Sequence, residues 1–219
     1  CGSNGAGPFK IVNNYLEAAG ENVMFGGSDP KISGLIPSDI EIRRNLMAKP
    51  LAWKGSQWSV KNLFELKTGV RVLIDGNTFE NNWVATDGNA AVPLAKVTIS
   101  NNVFDQVTGN YFAKIGQVAD LTITRNTINN TGSLIQAHKG TSLRFVYTGN
   151  TGSHGLYGVI GDGFGVGNST INQYFPGCTF TGNVITGANL GIYPAGNFSV
   201  TTSGIGADAD AIKAAQSKP

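Results

Sequence analysis

One asparagine returns seven times in this chain at the same place in a repeated pattern: Asn14, Asn45, Asn77, Asn102, Asn126, Asn150 and Asn183. The intervals are 31, 32, 25, 24, 24 and 33 residues. Five residues before each Asn stand Phe9, Ile40, Val72, Val97, Leu121, Phe145 and Cys178. Three before stand Ile11, Ile42, Ile74, Ile99, Ile123, Tyr147 and Phe180; two after stand Leu16, Met47, Phe79, Phe104, Ile128, Gly152 and Ile185. Apolar residues two apart point to one face of a strand. A lone strand cannot bury that face, but units stacked in register share a core. A period of 24 or 25 residues is too short for a strand–helix–strand unit, which needs about 30. It suits one turn of a parallel β-helix, with coils about 4.8 Å apart. The predicted fold is therefore all-β: a single-stranded, right-handed parallel β-helix of about seven coils.

The Asn is expected to do two things. It tolerates the left-handed backbone of a tight corner, and stacked copies can bond to one another as an amide ladder. Gly20, Gly109, Gly132 and Gly155 follow four of the Asn by five to seven residues. Each precedes a further apolar stretch: Val23–Phe25, Tyr111–Ile115, 134–137 and 156–160, with 62–67 as the equivalent piece of the second coil. At least two strands per coil are expected.

The whole chain, 1–219, reads as one β-helix domain, with 201–219 as a C-terminal tail or cap. Three segments lengthen the minimal period: 26–38, 48–60 with Trp53 and Trp58, and the Gly-rich 161–177. Solenoid insertions often build a binding surface. A Gly-rich start runs straight into a full repeat at Phe9 with no capping element, so upstream coils or an end-to-end contact are expected at that edge. A net charge of +2 without a basic stripe argues against nucleic acid as a partner. No apolar run approaches the roughly 18 residues of a membrane span. Cys1 and Cys178 lie six coil steps apart, roughly 25–30 Å, so no disulfide between them is expected.

With this repeat, the chain resembles right-handed parallel β-helix proteins of the pectin-lyase-like class. More narrowly, it is similar to a group of bacterial secreted β-helix proteins. The carrying stretches are 7–27, 37–45, 60–67 with 72–83, and 174–177 with 180–183. The resemblance implies an extracellular or cell-surface location and a polysaccharide or glycan as partner. It implies no cofactor; calcium enters only by analogy with that class. The catalytic signatures of its polygalacturonase-like and pectate-lyase-like members are missing. His154-Gly155 is the one matching dipeptide, and it does not make a site without the carboxylate motifs.

Outward side chains on neighbouring coils form columns. Counting twelve residues back from the Asn gives Glu65, Ala90, Lys114 and His138. Strand alternation also turns Lys67 and Gln136 outward. Lys114 and His138 are expected to face each other on adjacent coils. A polysaccharide lyase needs a base and a cation to stabilise an enolate, roles open to Lys114, His138 and Arg125. Glu65, Lys67 and Gln136, with the faces of Trp53, Trp58 and Trp83, are candidate substrate contacts. A solvated charged strand and buried insertion packing are the competing readings. No Cys/His set has metal-ligand spacing, and no metal is expected. Two functions follow: a carbohydrate-interacting β-helix that binds or cleaves an acidic polysaccharide, or a non-catalytic structural module of a fibre, appendage or envelope.

Overall fold

The computed structural model describes residues 5–27, 30–83, 94–108, 111–130, 132–138, 140–155, 158–161, 167–187 and 198–199. It is a parallel β-helix. Seven strands form the first sheet: Phe9–Val12, Ser38–Arg43, Val70–Asp75, Leu94–Ser100, Val118–Thr124, Val146–Thr148 and Thr179–Thr181. All neighbours are parallel and in the register of the repeat. Ile11 pairs with Ile42, then the column continues through Ile74, Ile99, Ile123, Tyr147 and Phe180. Ile42 and Tyr147 are 0% exposed. Burying each such side chain contributes about 1.5–3 kcal/mol, and β-branched residues fit the pleated surface.

The Asn does not end the β structure. A second sheet begins immediately after it: Tyr15–Glu17, Leu46–Ala48, Thr78–Asn82, Val103–Val107, Thr127–Asn130, Thr151–His154 and Asn183–Gly187, with Phe198–Ser199 added at its far edge. Leu16, Met47, Phe79, Phe104, Ile128, Gly152 and Ile185 form its inward column. Phe79 and Phe104 stack with centroids 4.5 Å apart, as Tyr147 and Phe180 do at 4.6 Å in the first sheet.

Between these sheets runs the amide ladder. Asn77 Nδ2 donates to Asn102 Oδ1 at 3.0 Å, and the Asn77 backbone N–H donates to the same oxygen at 2.9 Å. Asn102 repeats both bonds to Asn126, and Asn126 to Asn150. The ladder runs unbroken from Asn14 to Asn183. One expectation is corrected here. The left-handed residue at the corner is not the Asn but the one before it: Asn13, Arg44, Gly76, Asn101, Arg125, Gly149 and Gly182 all have φ between 52° and 63°. That residue turns the chain, and the Asn satisfies the backbone groups the turn exposes.

Coils one, two, four, five and six also contribute a third strand. Val23–Phe25 pairs with Phe64–Leu66; separately, Tyr111–Ile115 pairs with Ser133–Ala137 and that with Val159–Gly161. Residues 84–93, which include Ala90 of the expected outward column, lie outside the described residues, as do Cys1 and 201–219. The 161–177 insertion is not simply a loop. It contains a helix, Asn168–Tyr174, which sends Ile171 and then Phe175 into the core, Phe175 lying 4.7 Å from Phe145. Cys178 is a free thiol among the described residues; the expected absence of a bond to Cys1 falls on a residue outside them. No described helix is long and apolar enough to cross a membrane.

Candidate functional site

The third-sheet face places Glu65 opposite Met24. Lys67, two residues on, bonds Glu65 at 3.0 Å with both side chains mostly covered. Beside them lie residues that the column count missed. Glu21 pairs with Lys61 at 3.4 Å. Burial raises its pKa, but its backbone bond, Glu65 and Lys61 outweigh that and hold the carboxyl below its ordinary range. Behind this group Lys49 is fully buried. Its ammonium donates to the carbonyls of Ala18 at 2.7 Å, Ala19 at 3.2 Å, and Gly20. Burial pushes its pKa down to about 8, with Glu21 opposing. Lys49 stands four residues after its Asn, where Ala18 stands in coil one and Asn81 in coil three. Only a three-dimensional view of the corner shows the carbonyls it faces. Here each carboxylate already has a lysine, so the cluster ties coils one and two together.

Lys114 pairs with Gln136, not with His138, which corrects the expected juxtaposition. The corner leading to the third strand is two residues shorter in coil five: Ser133 lies seven residues after Asn126, whereas its partner Tyr111 lies nine after Asn102. His138 therefore falls past the end of its strand, where its backbone N–H donates to Ile115. The Lys114 ammonium stands 5.8 Å from the Tyr111 ring centroid, a cation–π arrangement. Arg125 sits elsewhere, at the corner between the first and second sheets. The three residues assigned to a lyase step are not brought to one place. Among the tryptophans, Trp58 is 53% exposed, while Trp53 and Trp83 are half-buried. His154 is buried with Nδ1 3.0 Å from the Gly155 carbonyl. No group of three or more metal-ligating side chains occurs among the described residues.

The outward face of the first sheet carries the more regular chemistry. Thr98 and Thr122 stand side by side, then Val146 and Thr179; next to them run Ser100, Thr124, Thr148 and Thr181, of which Ser100 and Thr124 are buried. One rim of this hydroxyl strip is a column of left-handed, charged residues: Asp39, Arg71, Lys96, Asp120 and Arg144. Arg71 grips Asp39 through two bonds of 2.6 and 2.7 Å, and Arg144 Nη2 bonds Asp120 at 3.0 Å. These guanidiniums hold both carboxyls below their usual range. Arg71 and Lys96 are like charges on adjacent strands. The other rim is the corner column with Arg44 and Arg125. On the first coils Lys10 pairs Glu41, whose carboxyl is lowered chiefly by Arg43; Asp75 is lowered by bonds from Asn101 and Ser100. Comparison with known protein families, with curated proteins and with solved structures found no match for this chain.

Proposed function

We propose that this chain is an extracellular or cell-surface β-helix that binds a linear acidic polysaccharide along its stack of coils. One observation carries the reading: from coil four to coil seven the first sheet presents the accessible threonines Thr98, Thr122, Thr148, Thr179 and Thr181, between rims where arginine and lysine outnumber carboxylates. A linear polymer of sugar residues meets such a face in a repeating way, hydroxyl to hydroxyl and carboxylate to guanidinium. The pectin-lyase-like resemblance points to the same ligand class, although fold alone does not decide function. The separation of Arg125 from Lys114 and His138 favours binding over cleavage. Affinity electrophoresis through gels containing polygalacturonate is the test. Retardation that fades as salt is raised is expected; migration equal to that in a blank gel ends the reading.

A second reading is a structural module. Among the described residues no strand covers the outer edge of coil one: Asn14 and Tyr15 are exposed, Tyr15 by 60%, and Phe9 and Ile11 are half-buried at the end of the core. Exposed parallel edges invite further pairing. Light scattering that grows with protein concentration, without glycan, would favour this module.

A further inference from the structure

The corner column reads Asn13, Arg44, Gly76, then Asn101, Arg125, Gly149. The triplet Asn–Arg–Gly occurs twice, three coils apart. In each copy the arginine has a left-handed backbone, φ 52° at Arg44 and 53° at Arg125. In each copy its Nε donates to the Oδ1 of the Asn on the preceding coil, at 2.9 Å both times. In each copy the following coil presents a glycine, where a Cβ would meet only the arginine Cγ, at 3.7 Å. Asn101 is itself fixed, its Nδ2 donating to Asp75 at 2.6 Å. Both arginines are exposed. Neither Nη1 nor Nη2 of either one has a partner among the described residues. Two guanidinium groups are thus held alike, forks outward, roughly 14 Å apart.

We propose that Arg44 and Arg125 are two equivalent carboxylate clamps that hold one polyuronate chain along the coil axis; this rests on the acidic-polysaccharide reading above. A planar fork with both terminal nitrogens open takes a carboxylate in two parallel bonds, which a lysine ammonium cannot do. One pyranose residue advances about as far as one coil. A polyuronate in a threefold conformation turns a carboxylate to the same side every third residue, matching the three-coil spacing. Holding Nε in advance reduces the side-chain freedom lost on binding.

Calorimetric titration of the full chain with a galacturonate hexamer and with a dimer tests the proposal. The variants are Arg44→Gln, Arg125→Gln, the double variant and the corresponding Arg→Lys changes. For the hexamer, each single Gln variant is expected to lose about ten-fold in affinity and the double about a hundred-fold. The Lys variants lose most of that although the charge is kept. The dimer spans one clamp only, so it should bind at two sites in the wild type and one in each single Gln variant. Wild-type hexamer binding that survives in the double variant overturns the clamps and leaves the polysaccharide reading standing. No wild-type binding of the hexamer or of polygalacturonate overturns both. Polyglutamate bound as tightly at the same salt, with the same losses, also overturns the proposal, because any anion would then suffice.

Discussion

At Asn102 four hydrogen bonds meet on one buried side chain. Its Nδ2 donates to Ile74 O and Asn126 Oδ1, and its Oδ1 accepts from the backbone and side chain of Asn77. Asn102→Ala removes all four bonds; Asn126 Oδ1 keeps the backbone N–H of residue 102 and Asn77 Nδ2 keeps Ile42 O, but the buried Asn77 backbone N–H loses its acceptor, at about 1–3 kcal/mol. We expect a loss of about 3–5 kcal/mol in urea unfolding. Asn14 is exposed at the end of the ladder, so Asn14→Ala should cost about 1 kcal/mol or less. Lys49 allows a test with a sign. Its folded pKa, about 8, lies below the ordinary 10.5. Between these values the unfolded chain binds more protons than the folded one, so stability rises with pH across this window. Urea midpoints at pH 7.5 and pH 10 should differ in the wild type more than in Lys49→Met. That variant should itself lose about 2 kcal/mol at pH 7.5, because the Ala18 and Gly20 carbonyls lose their ammonium donor, while Ala19 keeps the Lys61 N–H. The ladder was legible in the sequence because one residue type marks every corner. The left-handed position was not, because Asn, Arg and Gly share it and no single type stands out.

The sheets show which element-level expectations a fixed count can support. Strand pairing in the first two sheets follows from counting outward from the Asn, since each strand abuts it directly. The third sheet lies beyond a corner of variable length. The two-residue difference between coils four and five therefore moved His138 out of line with Lys114. Within the second sheet, Gly152 occupies a column otherwise filled by large apolar side chains. A Cβ there meets Ile128 at 3.5 Å and Leu134 at 3.7 Å, ordinary contact distances. Gly152→Ala should raise stability by about 0.5–1 kcal/mol by restricting the unfolded chain. Gly149→Ala should do the opposite, by about 1 kcal/mol or more, because φ is 63° there. Differential scanning calorimetry of the two variants, shifting Tm in opposite directions, checks both.

Across the whole molecule, charge is arranged in columns along the coils. Asp39, Glu41, Asp75 and Asp120 all have carboxyls held low by bonded neighbours on the same face. A depressed folded pKa contributes stability above the unfolded value and loses it as pH falls. Thermal unfolding should therefore move to lower temperature below about pH 4, and added salt should blunt the change. Protection should also be graded along the axis. Amides of coil four, with strands on both sides, should exchange far more slowly than those of coil one, whose outer edge has no neighbour among the described residues. Hydrogen-exchange mass spectrometry would show the gradient. The amide ladder has a polarity: from Asn14 to Asn150 each Nδ2 gives one proton to the Oδ1 of the Asn on the next coil, while from Asn45 onward its other proton ties back to a carbonyl of the coil before. Such a molecule can be lengthened like a zip. A duplicated segment that runs from one ladder asparagine to the residue before the next restores every junction, so tandem copying of whole turns is a route by which this architecture can grow without a new core being invented.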